Sequence, residues 1–335
     1  MQIQERLTLH ERLAKSLVAL TDAELTDLIG PARQLHSGIG GKSSLLEIDG
    51  IAVFVKRIPL TDLEREPENY LSTRNLFALP LFYQYRLGSA GFGAWRELAA
   101  LQKTTDWVKS GQCLEFPLLR HWRVLPETVA VESKEPVPSD YLEETVAYWD
   151  NSAAVKNRLE ALQTASASLV LFLEYVPQTL LDGLNLELMA GGERSEIAVQ
   201  AIDQILKQVT DFTSANSFVH FDAHFENIQF EKHEKPNTLF FSDFGLALAA
   251  DFDLSSEEIE FLERHKHYDR CVCIHSLTKC LRAHAESQPV SAKIQATLDR
   301  YGPITDMVSA FYRALHHDKS VPWRAREVEE ILGTL

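Results

Sequence analysis

The chain has 335 residues, 45% of them hydrophobic, with 33 Lys and Arg against 48 Asp and Glu and a formal charge of −15. That apolar content supports a core for one large or two ordinary domains, and the acidic balance argues against nucleic acid, whose affinity rests on basic side chains neutralising phosphates. No apolar run reaches the roughly 18 residues of a membrane span, the first 30 residues are amphipathic rather than basic and then apolar, and four cysteines make no disulfide framework. The expectation is a soluble cytoplasmic protein, with a solvated acidic surface that mildly favours basic peptides or cationic small molecules.

Residues 1–30 read as a helical extension. Leu13, Leu17 and Leu20, then Leu25, Leu28 and Ile29, recur at helical spacing. Thr21 to Glu24 makes a capping box, and Gly30-Pro31 stops the second helix. No chemistry is assigned to it. The next stretch, LHSGIGGKSSLLEIDGIAVFVKRIPL over 35–60, falls one glycine short of a Walker loop because His36 stands in the leading position. A Walker loop must also open a helix. Here SSLLEI, the Asp49-Gly50 pair and IAVFVK spell a β-hairpin with a tight turn, so the order is strand, glycine loop, strand, turn, strand, ending near Lys56.

Residues 57–90 hold Glu64, Glu66 and Glu68 around Pro67, expected in a solvated loop, and then the apolar run NLFALPLFYQY, to which the sequence assigns no place. GFGAWRELAALQK, 91–103, reads as a helix with Trp95, Leu98 and Leu101 inward and Glu97 as its only acid. FPLLRHWRVLP, 116–126, suits a buried strand. A Pro-containing loop follows, then helical patterning in which Leu142, Val146 and Trp149 share one face, as do Val155, Leu159 and Leu162. The apolar LVLFLEYV over 169–176 leads to Pro177, and a long amphipathic helix runs from Ser195 to Asn216 with Ile202, Ile205, Leu206 and Val209. After Ala250 the chain reads as helical to its end. Cys271, Cys273 and His275 there read as core rather than metal ligands, since helix residues two apart point away from each other.

Chemistry concentrates between Val219 and Ala247, VHFDAHFENIQFEKHEKPNTLFFSDFGLA. NIQF and TLFF are β-rich runs separated by EKHEKPN, with Pro236-Asn237 as a turn signal. Such a hairpin sets two acidic loops side by side at one end. Asn227 and Asp243 then offer hard oxygen ligands suited to Mg²⁺, which shares its sphere with phosphates and water. Asp222 remains to accept a proton or orient a nucleophile, an arrangement that phosphoryl transfer requires.

On these residues the chain resembles the protein-kinase-like superfamily. His220-Phe221-Asp222 with Asn227 is similar to the H-R-D-x-x-x-x-N catalytic loop, Phe replacing Arg, and Asp243-Phe244-Gly245 matches D-F-G. His224 resembles instead the H-x-D-x-H-x-x-N form of the aminoglycoside and choline phosphotransferase branch. The resemblance extends over about 35–285 and implies an α+β, two-lobed fold, with a β-rich N-lobe carrying helical insertions and a mainly helical C-lobe. It divides the chain into the extension 1–30, an N-lobe 31–177 and a C-lobe 178–335. Gly38 and Gly40 match the first two glycines of a phosphate loop, Gly41 standing in for the third because Ser43 occupies that position, and Lys56 would hold the α and β phosphates. Glu97 would pair with Lys56. Backbone groups of Glu174, Tyr175 and Val176 would face the adenine. Asn227 and Asp243 would bind the metal, Asp222 would orient or deprotonate the acceptor, His224 would assist near the γ-phosphate, His220 would be structural, and Asp269 would anchor the catalytic loop.

The function implied is ATP- and Mg²⁺-dependent transfer of a γ-phosphoryl group to a hydroxyl, with Ser or Thr of a protein or peptide as the leading acceptor. A small hydroxylated molecule is the alternative, favoured by His224 and by the absence of A-P-E after D-F-G. A catalytically dead pseudokinase used as a binding module is the remaining reading.

Overall fold

A computed structural model describes residues 3–38, 41–127, 139–231 and 238–334. Gly40, the Pro236-Asn237 turn and most of the loop after Pro126 lie outside the described residues. Two units emerge, Met1–Tyr175 with Phe252–Leu254, and Val176–Asp251 with Ser255–Leu335.

The first unit opens with two helices, α1 (Ile3–Val18) and α2 (Asp22–Ile29), the second started by the Thr21/Glu24 capping box. Strands β1 (Arg33–Gly38), β2 (Gly41–Ile48) and β3 (Ile51–Leu60) follow as an antiparallel meander. Asp49 and Gly50 turn the β2–β3 hairpin with φ of 52° and 76°, the left-handed pair such a turn demands. Gly41 has a fold reason to be glycine, because at φ 113° a Cβ there would stand 2.2 Å from the Arg57 carbonyl oxygen.

Helix α3 (Asp62–Arg65) and then α4 (Ala94–Ser110) lead to β4 (Leu119–Pro126); helices α5 (Ser139–Tyr148) and α6 (Ala153–Gln163) intervene before β5 (Ala167–Glu174). The sheet order is β1-β2-β3-β5-β4. Strand alternation decides what each face meets. Val53 and Val55, with Val170 and Phe172, pack on Leu13, Leu17, Leu25 and Ile29, so the two opening helices cover that face. Lys56, the next residue of β3, takes the opposite face.

The apolar run of 75–85 finds its place in a second cluster. Leu79, Tyr83 and Phe92 pack with Trp149, Val155 and Leu159 of the α5–α6 segment. Trp149 meets Tyr83 edge-on at 4.7 Å and stacks with Phe82 at 6.1 Å. The run the sequence left unplaced is therefore packed on the helical α5–α6 segment. Glu66 and Glu68 are exposed as expected, but Glu64 is 1% exposed, which corrects its expected solvated loop.

The second unit is mainly helical. It runs α7 (Leu180–Ala190), α8 (Gly192–Ala215), β6 (Phe218–Val219), β7 (Ile228–Glu231), β8 (Thr238–Phe241), β9 (Leu248–Ala249), α9 (Ser256–Arg264), α10 (Tyr268–Ser287), α11 (Ala292–His317) and α12 (Ala325–Leu332). β7 and β8 form the expected hairpin, and β6 pairs with β9. Gly183 lets α7 close on this hairpin, since a Cβ there would meet the Phe230 ring at 2.4 Å. Among the described residues no helix is long and apolar enough to cross a membrane.

Candidate active site

In the first unit the structure brings Lys56 and Glu97 together. Lys56 Nζ donates to Glu97 Oε1 at 2.7 Å, and the side chains are 11% and 5% exposed. A pair this far out of water holds only if both charges stay, because removing one strands the other. Glu97 lies in the first turn of α4, so the pair depends on where that helix starts. Of the glycine loop, Gly38 ends β1 and pairs with Gly41 at the start of β2.

Glu174 ends β5 with its N–H already given to Leu118 O at 2.9 Å. Its carboxylate accepts Arg6 Nε and Nη2 at 3.0 and 2.8 Å and the Leu118 N–H at 3.1 Å. The N–H of Glu174 is thus committed to Leu118, and half-buried Tyr175 and Val176 follow it in the stretch expected to face the adenine. Arg6, to which the sequence gave no task, also donates to Leu114 O and Phe116 O at 3.0 and 2.8 Å. Nothing in its helical pattern distinguished it from a solvated arginine.

In the second unit the two acidic loops are joined through Ser242. Its N–H and hydroxyl both donate to the Asn227 carbonyl at 2.9 Å, and its carbonyl accepts His220 Nε2 at 2.9 Å. His220 Nδ1 accepts the Asp222 N–H at 3.2 Å, which leaves the ring proton on Nε2. His220 is thus a 2%-exposed strut between the loops. Ser242 escaped sequence reasoning; its only signal was a hydroxyl residue following the apolar TLFF.

Asn227 Nδ2 donates to Asp222 Oδ2 at 2.9 Å and to the Asp222 carbonyl at 3.2 Å. An amide that spends its NH₂ group on Asp222 turns Oδ1 elsewhere as an acceptor. Asp243 is exposed, at φ 63°. One amide oxygen and one carboxylate fit a Mg²⁺ that keeps water and phosphate in its remaining positions. Among the described residues no group of three or more His, Cys, Asp or Glu side chains gathers to hold a metal without such help. His224 Nε2 stands 3.5 Å from Asp222 Oδ1, and its Nδ1 accepts the Glu226 N–H at 3.3 Å.

Phe221, in the position of the kinase arginine, is fully buried at φ 64°. Its ring packs on Phe261, His265 and Tyr268 at 5.6, 5.4 and 5.0 Å. A non-glycine residue held left-handed stores of order 1–3 kcal/mol, and this loop is fixed from below. Asp269 Oδ2 accepts the His220 N–H at 2.6 Å and Oδ1 the Phe221 N–H at 3.0 Å. Burial pushes the Asp269 carboxyl up to about 7, against the lowering by these two amides. Cys271 and Cys273 are buried in α10 with thiols pushed up by burial, and His275 bonds Ser309 at 3.1 Å.

Residues 160–276 match the sequence profile of the ABC1 atypical kinase-like domain. Among solved structures, one described as WaaP in complex with acyl carrier protein is similar at 12% identity, over 90% of this chain and 88% of that one, with a TM-score of 0.41. No curated protein matches the chain. The family match, over a region that contains both acidic loops, places the chain in the protein-kinase-like superfamily, with an α+β, kinase-like fold. Folds of this class generally bind ATP and Mg²⁺.

Proposed function

We propose that the protein transfers the γ-phosphoryl group of ATP to a hydroxyl. The observation that carries this reading is the union of the two acidic loops through Ser242, which keeps Asn227 bonded to Asp222 and adjoins Asp243. Phosphoryl transfer asks little covalent chemistry of the protein and a great deal of positioning and charge neutralisation. Asn227 Oδ1 and Asp243 would hold Mg²⁺, which would supply charge neutralisation to the phosphates. Lys56, paired with Glu97, would hold the α and β phosphates, and Gly38 and Gly41 would let the backbone approach them. Asp222, steadied by Asn227, would receive or orient the acceptor hydroxyl, with His224 at its second oxygen.

Ser or Thr of a protein or peptide is the acceptor that S-D-F-G-L-A favours. A small hydroxylated molecule is a second reading with its own support. His224 sits against Asp222, and α9 already begins at Ser256, so residues 246–255 are all the chain between D-F-G and that helix. The test is a thermal-shift titration with ATP and Mg²⁺, followed by transfer of labelled phosphate to protein, peptide and small-alcohol panels. ATP that binds only the native state raises the melting temperature by mass action. No shift at millimolar nucleotide would overturn the reading, and a shift without transfer to any panel would leave the pseudokinase in its place.

A further inference from the structure

We infer that Glu64 is a positioning residue for Glu97, and that the inserted segments around α3 and α6 form a clamp on the starting end of α4. The inference rests on the proposed function for what Glu97 does, but not for where the clamp acts.

The first N–H groups of any helix lack intrahelical acceptors, and the N-terminus carries partial positive charge. In α4 these needs are met by a residue outside the helix. Glu64 Oε1 accepts the Ala94 N–H at 2.8 Å, and the Glu64 carbonyl accepts Trp95 Nε1 at 2.8 Å. The approach is close: a Cβ on Gly93, the N-cap, would lie 3.1 Å from Glu64 Oε1. Gly93 itself supplies no side-chain cap.

Glu64 is in turn immobilised. Its Oε2 accepts the Thr61 N–H and hydroxyl at 3.0 and 2.7 Å and Arg158 Nη1 at 2.9 Å. Arg158 comes from α6, is 1% exposed, and lies over the Phe77 ring at 5.0 Å. Burial raises the Glu64 carboxyl, yet Arg158, the Thr61 bonds and the Ala94 N–H outweigh it and hold it below the usual range. Every donor therefore meets an ionised carboxylate, and charge-assisted bonds of this kind are the strong ones.

Ala94 and Glu97 are three residues apart on one helix, so a shift of α4 along or about its axis carries Glu97 with it. The Lys56–Glu97 contact at 2.7 Å is thereby set by Glu64 and Arg158, which belong to no recognisable motif.

The test reads Lys56 directly. Wild-type, Glu64→Ala and Glu64→Gln proteins are treated with an amine-acetylating reagent without nucleotide, and Lys56 and Lys319 are followed by mass spectrometry. Lys319 is 4% exposed and bonds the Leu315 and His316 carbonyls, so it reports whether the second unit stays folded. Local opening exposes such groups in proportion to its population. Lys56 is expected to acetylate about tenfold faster in Glu64→Ala and about threefold faster in Glu64→Gln, with Lys319 unchanged. If Glu64→Ala also exposes Lys319, the milder Glu64→Gln decides. Equal Lys56 rates in wild type and Glu64→Gln would overturn the clamp. In parallel, Glu64→Gln should weaken Mg·ATP binding several-fold while Glu64→Asp recovers part of it; a wild type that binds no ATP sinks the functional reading and leaves the acetylation result standing.

Discussion

Two buried carboxylates, Glu64 in one unit and Asp269 in the other, each accept main-chain N–H groups and each thereby hold an element that carries a candidate functional residue. Glu64 holds α4 and hence Glu97; Asp269 holds the His220–Phe221 amides and hence Asp222. Their surroundings differ. Glu64 has the Arg158 guanidinium at 2.9 Å and is kept ionised. Among the described residues Asp269 meets the His220 and Phe221 amides, while the neighbouring Arg270 donates to Asp203, and its carboxyl is pushed up to about 7 by burial. The same anchoring device is thus insensitive to pH near neutrality in one unit and sensitive to it in the other.

The largest effect expected separates the anchor from what it anchors. Asp222→Asn removes a carboxylate without touching Asp269, and should lower phosphoryl transfer by roughly 10²–10⁴-fold, the usual worth of a positioned base. Mg·ATP binding should stay near wild type, measured by calorimetry beside the turnover assay. Near wild-type turnover would show that Asp269 holds a loop with no chemical task.

The two anchors also differ in how readable they were. Asp269 was legible because it stands ahead of an apolar helix downstream of a recognised catalytic loop, so context supplied its partner. Lys56 and Glu97 were legible for a similar reason: a strand lysine behind a glycine turn and a single acid on the next helix. The meander, hairpin and helical tail followed from periodicity and turn residues such as Asp49-Gly50, and the α+β fold from the resemblance carried by the two acidic loops. Glu64 was not legible. Its partner Arg158 lies 94 residues away, and nothing in a stretch with three glutamates says which one is buried. Arg6 and Ser242 failed for the same reason, since each bonds to carbonyls or carboxylates that only the tertiary fold brings near.

A pH comparison sharpens the contrast with a smaller effect. The Asp269 pKa is raised in the folded state from 3.8 to about 7, so its stabilising contribution is complete below pH 3.8 and is lost as pH rises through 7. Asp269→Asn has no such titration. The stability gap between wild type and this variant should be larger at pH 5 than at pH 8 by about 2–3 kcal/mol, read from urea unfolding at the two pH values. Glu64 has the opposite sign: its lowered carboxyl contributes fully above the usual value of 4.5 and loses its contribution only as pH falls below it. A gap for Asp269→Asn that is constant with pH would remove the distinction between the anchors.

A third carboxylate gives the smallest effect. Glu258 is 3% exposed and closes a capping box in which Ser255 Oγ accepts the Glu258 N–H at 3.2 Å while Glu258 accepts the Ser255 N–H at 3.0 Å. Here the anchor holds only the start of α9, where a kinase switched by phosphorylation could carry its phosphate. Such a switch pairs the new phosphate with the arginine before the catalytic Asp. In this chain that position is Phe221, buried against Phe261 and Tyr268 with no donor to offer. A phosphate on Ser255 would also face the Glu258 carboxylate and give up the cap. Ser255→Ala should therefore cost about 1 kcal/mol of stability, and the Ser255→Ala, Ser256→Ala double variant, like phosphatase-treated protein, should keep its turnover within a few-fold of the untreated enzyme on one acceptor. A loss of tenfold or more, about 1.4 kcal/mol in the barrier, would mean that a phosphate at this helix start is sensed by cations other than the residue that Phe221 replaces.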